Sequence, residues 1–319
     1  MSERPLLTIS DLSVGFPDAD GVIQPVVKSL SARVRPGEIV AIIGSSGAGK
    51  SVVAEALLGV SSPAAHVAGH IEYRGTRLDA KGIRALAGRE IAYIPQSVNS
   101  LDPLMTIGKQ VRGRGTAMKR RVRETFAHYE LPPDTVDRYP FEISGGMARR
   151  VLIAAAFLSK AELIIADEPT PGLHAGLAER VMEDLREFAD RGNSVMLITH
   201  DVDLALRYAD WVSVFYAGTT VEVGRVRDWG IGAEDVGAPR HPYSRDLLAA
   251  LPGRSFQAVP GAQPLPGTYQ GCPYAPRCRW QVADCDSEVP VVQVGEGMVR
   301  CVNPQAHQGF AATDGGKRP

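Results

Sequence analysis

Four short runs of apolar residues constrain the fold of this 319-residue chain more than any other feature. Each run is nearly continuous instead of alternating, which is typical of parallel strands that are covered on both faces. The runs are residues 38–43, 91–94, 163–166 and 195–198. Helix-like stretches lie between them, at residues 51–58, 147–158 and 177–189. The pattern predicts an α/β core built on a parallel sheet.

Two segments near the N-terminus have a different pattern. Apolar residues mostly alternate over residues 7–16 and 30–34, which predicts half-buried strands of an antiparallel β-subdomain. The formal net charge is −1, which gives no electrostatic reason to expect nucleic-acid binding. We interpret the basic run at residues 119–123 as a solvated helix face. No apolar run approaches the roughly 18 residues of a membrane span, and no secretory signal is evident, so we expect a cytoplasmic location.

Polar residues follow each of the four apolar runs. A glycine-rich loop follows the first run, Gln96 the second, Asp167 and Glu168 the third, and His200 the fourth. Ligands of parallel α/β sheets bind outside the carboxyl ends of the strands. The sequence therefore predicts one ligand site to which four separate segments contribute.

The glycine-rich loop has the full G-x-x-x-x-G-K-S pattern of a phosphate loop. Its residues are Gly44, Ser45, Ser46, Gly47, Ala48, Gly49, Lys50 and Ser51. Backbone N–H groups and the helix N-terminus would hold the phosphates, Lys50 would reach the outer ones, and Ser51 would bind Mg²⁺. Asp167 suits the carboxylate on the magnesium side, and Glu168 suits the general base for the attacking water. The predicted cofactors are therefore ATP and Mg²⁺.

Ser144, Gly145 and Gly146 open a helix about twenty residues ahead of Asp167. With Gln96 at the position of the Q-loop and His200 at that of the switch histidine, this segment resembles the signature motif of the ATP-binding-cassette (ABC) ATPases. The resemblance covers about residues 6–224. It implies a RecA-like P-loop core with a helical subdomain at about residues 97–160. It further implies that Gln96 takes part in the Mg²⁺ site, that the signature faces ATP on a partner subunit, and that Phe16 stacks on adenine.

A C-terminal extension follows a linker predicted at residues 225–240. The segment beginning His241-Pro242-Tyr243 is similar to the extension of ATPase subunits of oligopeptide, dipeptide and nickel importers. Residues 96–103 also resemble the segment that continues the Q-loop in the same subunits. We therefore divide the chain into an ABC domain, residues 1–235, and an extension, residues 236–319. The resemblance implies a peripheral protein at the cytoplasmic face of the membrane. Its implied partners are two transmembrane permeases, an extracytoplasmic solute-binding protein and a second ABC ATPase subunit.

All four cysteines lie in this extension, at Cys272, Cys278, Cys285 and Cys301. Their spacing does not match the paired C-x-x-C of common structural zinc sites. The resemblance implies a [4Fe–4S] cluster, with zinc and free thiols or disulfides as alternatives. The small polar tail at residues 310–319 is predicted to be disordered.

One position departs from the family pattern. The D-loop of the family usually ends in Leu-Asp, whereas this chain has Leu173-His174. This predicts two unequal ATP sites and a second ATPase subunit that is a different chain. The resemblance implies an ATP-hydrolysing subunit of an ABC importer that energises uptake of peptides or similar small solutes through separate transmembrane subunits. Two other functions remain as alternatives: a soluble ABC ATPase of DNA repair or of a metabolic complex, and a module that traps ATP without turnover. Glu168 weakens the second of these.

Overall fold

The computed structural model describes residues 4–45, 47, 49–111, 116–229, 238–251, 261–302 and 304. Ser46, Ala48 and the tail predicted to be disordered lie outside this described part. The strands are β1 (Leu7–Pro17), β2 (Ile23–Val34), β3 (Ile39–Ile43), β4 (His66–Tyr73), β5 (Thr76–Leu78), β6 (Ile91–Ile94), β7 (Leu163–Asp167), β8 (Ser194–Thr199), β9 (Trp211–Tyr216), β10 (Thr219–Arg225), β11 (Val291–Val294) and β12 (Gly297–Arg300). The helices are α1 (Lys50–Leu57), α2 (Ala80–Leu86), α3 (Ile107–Val111), α4 (Thr116–His128), α5 (Gly145–Leu158), α6 (Ala175–Asp190), α7 (Val202–Tyr208) and α8 (Pro242–Ala249).

The strands form one mixed sheet in the order β5-β4-β1-β2-β10-β9-β3-β8-β7-β6. β3, β8, β7 and β6 are parallel neighbours, as predicted. Every residue of β3, β7 and β8 is buried, which explains their continuous apolar runs. β1 pairs antiparallel with both β2 and β4, so the N-terminal segments form the predicted antiparallel part.

Helices α3, α4 and α5 lie in the segment predicted as the helical subdomain. The basic run belongs to α4, where Val122 is buried while Lys119, Arg120, Arg121 and Arg123 are exposed. This confirms the interpretation of that run as a solvated helix face. Within the described residues, no helix is both long enough and apolar enough to cross a membrane.

The C-terminal extension packs onto the core instead of standing apart from it. β11 and β12 form a hairpin, and β12 pairs antiparallel with β10, where Glu222 lies opposite Val299. The predicted start of the linker is wrong, because Arg225 belongs to β10 and Val226–Trp229 form a 3-10 turn. The remainder of that linker up to residue 237 lies outside the described part of the chain.

Candidate functional site

Close packing of glycines positions the phosphate loop between β3 and α1. A side chain on Gly44 would collide with the backbone carbonyl of Phe215 in β9. Gly49, the N-cap of α1, has φ of 96°, and a Cβ there would lie 2.9 Å from the carbonyl of Val26. Both positions therefore require glycine, since any side chain would push the loop away from the sheet.

Lys50 is buried at the start of α1, 8% exposed. Its Nζ donates hydrogen bonds to the carbonyls of Gly44 at 2.8 Å and Ser45 at 3.0 Å. Burial lowers the pKa of this ammonium group, while the nearby Glu168 and Asp167 act in the opposite direction. The lysine is thus a partly desolvated cation at the edge where the polar residues meet.

Ser51, Gln96 and Asp167 are brought together at this edge. The Ser51 hydroxyl donates a 3.1 Å hydrogen bond to Oε1 of Gln96. It also lies close enough to Asp167 to act on the pKa of that carboxyl. Asp167 ends β7, is 1% exposed, and has its pKa raised by burial. Tyr93 donates a 3.4 Å hydrogen bond to Oδ2 of Asp167, whereas the buried Oδ1 has no hydrogen-bond partner. An unpaired buried carboxylate oxygen beside a serine hydroxyl fits a divalent cation such as Mg²⁺.

Glu168 is held by residues at the end of β8. Its Oε2 accepts from the Thr199 hydroxyl at 3.2 Å, and its Oε1 accepts from the backbone N–H of His200 at 3.0 Å. Oε1 also lies 2.7 Å from Nδ1 of His200, whose side chain is 59% exposed. The backbone φ of Glu168 is +48°, an unfavourable conformation for a non-glycine residue. Such strain is characteristic of functional sites, where the surrounding structure compensates for it.

Ser144 caps the N-terminus of α5 by accepting a 3.2 Å hydrogen bond from the N–H of Met147. A Cβ on Gly145 would meet open space, and one on Gly146 would lie 3.9 Å from the carbonyl of Gly172. The start of α5 therefore has open space over its glycines, beside the loop that follows Glu168. This is the geometry of an anion-binding helix N-terminus.

Comparison with known proteins identifies the family in which these features occur. The sequence model described as "ABC transporter" matches residues 27–171, and the one described as "Oligopeptide/dipeptide transporter, C-terminal region" matches residues 234–285. The dipeptide transport ATP-binding protein DppD of Escherichia coli is 34% identical over 313 residues, 91% of this chain and 93% of DppD. DppD of Haemophilus influenzae is 35% identical over 95% of this chain and 97% of its own length. The chain belongs to the family of ABC transporter ATP-binding proteins.

Solved structures agree with this assignment. A structure titled "ATP binding subunit of ABC transporter" is 29% identical, with a TM-score of 0.60 over 72% of this chain and 96% of the other. The ATP-binding cassette MJ0796, solved as a post-hydrolysis dimer with ADP and Pi, has a TM-score of 0.61 at 23% identity over 69% of this chain and 99% of its own. The fold is that of an ABC cassette, and the protein is an ATPase whose hydrolysis is coupled to transport.

Arg149 is a site residue that sequence reasoning missed. It is 8% exposed on α5, and its Nη1 donates to the carbonyls of Pro95 at 2.7 Å and Glu168 at 3.3 Å. Its Nη2 donates to the carbonyl of Gln96. One guanidinium therefore connects the helix of the ABC signature, the Q-loop and the segment of Glu168. The available signal was the pair Arg149-Arg150 at the start of the otherwise apolar run of α5, because a buried charge needs dedicated partners.

The D-loop of this ABC ATPase holds His174 as the N-cap of α6. Its Nδ1 accepts a 3.3 Å hydrogen bond from the N–H of Leu177, and its Nε2 lies 3.2 Å from Oε2 of Glu130. A ring whose Nδ1 accepts must carry its proton on Nε2, which can then donate to Glu130. Arg180 also contacts Glu130, at 3.1 Å. The histidine is thus part of a surface network that an aspartate at this position could not form, because its carboxylate would face Glu130.

Phe16 lies near the end of β1, half-buried against the apolar cluster between β1, β2 and α1. Its role beside adenine stays a prediction.

The four cysteines come together in the C-terminal extension. Cys272, Cys278, Cys285 and Cys301 line one small cavity with His241. Burial raises the pKa of Cys272 to about 12 and that of Cys278 to about 11. No group of three or more His, Cys, Asp or Glu among the described residues is arranged to hold a single metal ion. The predicted iron–sulfur cluster is therefore not confirmed.

Proposed function

We propose that this ABC ATPase energises the import of peptides through separate permease subunits, at the cytoplasmic face of the membrane. The observation that carries the proposal is that two dipeptide transport ATP-binding proteins match more than nine-tenths of the chain, covering both the ATP site and the extension. The extension itself matches the C-terminal region of oligopeptide and dipeptide transporters. We also propose the division into an ABC domain, residues 1–235, and an extension, residues 236–319.

Within the ATP site, we assign the phosphate cradle to the loop from Gly44 to Ser51. Lys50 would exchange its present carbonyl acceptors for the outer phosphates. Ser51, Gln96 and Asp167 would hold Mg²⁺, which supplies neutralising charge for the β- and γ-phosphates when bound. The unpartnered Oδ1 of Asp167 supports this assignment, because a buried carboxylate oxygen needs a partner.

We assign the proton acceptor for the attacking water to Glu168. Its carboxylate is fixed by Thr199 and by the backbone N–H of His200, so it cannot swing away from the phosphate edge. The exposed ring of His200 is then available to approach the γ-phosphate while it remains paired with Glu168 through Nδ1. Ser144, Gly145 and Gly146 would complete the ATP site of a partner subunit from the opposite side.

We propose that a permease subunit binds an apolar surface on the helical subdomain. Leu104 is 87% exposed and Phe141 is 75% exposed, and the rings of Phe141 and Tyr139 stack at 5.4 Å. A hydrogen bond of 2.9 Å from the N–H of Ile107 to the carbonyl of Arg138 joins the two segments that carry these side chains. Exposed large apolar side chains grouped in this way mark interaction surfaces. The same two segments lie next to the Q-loop and the signature, so a permease bound here could respond to nucleotide.

The contacts of His174 support the proposal that the second ATPase subunit is a different chain. Because the histidine turns toward Glu130 of its own subunit, the D-loop lacks the aspartate that links the two ATP sites in the family pattern. We infer that the two sites are unequal.

We further propose that the four cysteines bind a [4Fe–4S] cluster in the assembled protein. One observation supports it: the four cysteines line one cavity, and four thiolates can complete such a cluster. Zinc, and free thiols or disulfides, are the competing outcomes.

Peptide uptake by whole cells tests the proposed function. Cells lacking this chain should lose ATP-dependent uptake of a labelled dipeptide or oligopeptide, and the wild-type chain but not the Glu168→Gln variant should restore it. Unchanged uptake of both peptides, together with sensitivity to DNA damage, would favour the soluble ABC ATPase instead. The named relatives are transport proteins, which does not favour that alternative.

A further inference from the structure

The C-terminal extension reaches into the ATP site at Ser45, the second residue of the phosphate loop. The Ser45 hydroxyl donates a hydrogen bond to Oε1 of Gln263. The phenol of Tyr243 in α8, which is 3% exposed, also lies close enough to Ser45 to interact with it. Burial raises the pKa of Tyr243 to about 12, so this partner is a neutral phenol at physiological pH. Two segments of the extension, separated by residues 252–260, therefore converge on one loop residue.

The segment that carries Gln263 is attached to the core by contacts of its own. Tyr269 donates a 2.6 Å hydrogen bond to the carbonyl of Ala217, in the turn between β9 and β10. The ammonium of Lys28 lies 4.7 Å from the centroid of the Tyr269 ring. In the other segment, the ring centroids of Tyr243 and Tyr216 lie 4.2 Å apart. These contacts give Gln263 and Tyr243 a fixed base from which to hold the loop.

Ser45 is also connected to the phosphate-binding lysine. Its carbonyl accepts a 3.0 Å hydrogen bond from Nζ of Lys50, and the preceding carbonyl of Gly44 accepts another at 2.8 Å. Lys50 must release both carbonyls to reach a nucleotide, and the loop must then keep its shape without them. Gly44 is fixed by its packing on Phe215. The hydrogen bond from Ser45 to Gln263 adds a side-chain restraint from the extension to the described part of this loop.

We propose that Gln263 is a positioning residue for nucleotide binding, with Tyr243 as a second support. By holding Ser45, Gln263 keeps the first turn of the phosphate loop in the shape that receives the phosphates. Since the restraint exists before nucleotide arrives, it lowers the entropy that the loop loses on binding. The hydrolysis step depends on Glu168, which Gln263 does not contact. The extension is on this view a part of the ATP site.

The experiment compares nucleotide binding and turnover in Gln263→Ala. In the purified full-length chain, the Kd for MgATP and for MgADP should rise about 3- to 10-fold, the range expected for the loss of one neutral hydrogen bond. In the assembled transporter, KM for MgATP should rise by a similar factor while kcat stays within about 2-fold. Gln293→Ala is the matched control, because Gln293 is an exposed glutamine on β11 of the same extension. It should leave Kd, KM and kcat unchanged.

A double-mutant cycle separates this role from a general structural one. In the Ser45→Ala background, Gln263→Ala should cause no further rise in Kd, because the hydrogen bond is already gone. A Gln263→Ala variant that binds MgATP and MgADP with wild-type Kd would overturn the proposal. So would an equal effect of Gln263→Ala with and without the Ser45 hydroxyl, or a fall in kcat with KM unchanged.

Discussion

At the scale of single residues, the ATP site depends on how two adjacent carboxylates are held. Asp167 lies inside the end of β7 with one oxygen unpartnered, whereas Glu168 points across to Thr199 and His200. The difference in direction follows from the left-handed backbone of Glu168, φ +48°. Two neighbouring acids can therefore serve two roles, one at the metal and one at the water.

Replacing Glu168 with glutamine should stop ATP hydrolysis while ATP remains bound, because the amide cannot accept a proton and the phosphate cradle is intact. Lys50→Ala should abolish hydrolysis by removing the contact to the outer phosphates. Both variants are checked by phosphate release and by retention of labelled ATP in the assembled protein. Hydrolysis at the native rate by Glu168→Gln would show that another group is the base.

Arg149→Met should destabilise the fold and reduce hydrolysis. The substitution keeps the apolar length of the side chain but leaves the carbonyls of Pro95, Gln96 and Glu168 without their donor. We expect a loss of about 2–4 kcal/mol in the free energy of unfolding, measured with urea. Arg123→Met is the control, because Arg123 is exposed on α4 and should change stability by less than about 0.5 kcal/mol. Equal stability of the two variants would contradict the role of Arg149.

At the scale of elements, local patterns predicted some strands well and others poorly. The runs of β3, β7 and β8 were recognisable because strands buried on both faces exclude polar side chains. The start of β2 at Ile23 was missed, because its first two residues are exposed and give no alternation. The hairpin of β11 and β12 was missed too, since its place on β10 depends on contacts between residues nearly eighty positions apart.

The D-loop gives a prediction at this scale. If His174 makes the two ATP sites unequal, replacing the P-loop lysine in this chain and in the partner ATPase should leave different residual transport. His174→Asp should reduce that difference, because it restores the family's aspartate. Peptide uptake by the two single-lysine variants, with and without His174→Asp, provides the measurement. Equal losses from both lysine replacements, or full activity of a homodimer of this chain, would count against unequal sites.

At the scale of the whole molecule, the extension adds a hairpin to the sheet, closes around four cysteines and contacts the phosphate loop. The motifs predicted the ATP edge from the sequence because each motif is local and follows a recognisable strand. Spacing could not predict the convergence of the cysteines, since Cys272 and Cys301 are 29 positions apart and meet only through the packing of the extension. The link from Gln263 to Ser45 has no signal in the sequence for the same reason.

Protein purified without oxygen should be brown, with iron and acid-labile sulfide each at about four per chain. Cys285→Ser should lose most of the iron but still bind MgATP, because the cysteine cavity contains none of the residues that we assign to the phosphates. Metal analysis and nucleotide binding on the same samples check both statements. Colourless protein with stoichiometric zinc, or with no metal, would contradict the cluster.

Transport by the assembled complex tests the proposal that ATP hydrolysis at this phosphate loop drives peptide import. The complex of this chain, its partner ATPase and the permeases would be placed in liposomes, with peptide and solute-binding protein on one side and MgATP on the other. We predict uptake of a labelled peptide that requires MgATP on the side of this chain and is lost in Lys50→Ala. Uptake that continues in Lys50→Ala, or a wild-type complex that hydrolyses ATP without moving any peptide, would contradict ATP-driven peptide import by this chain.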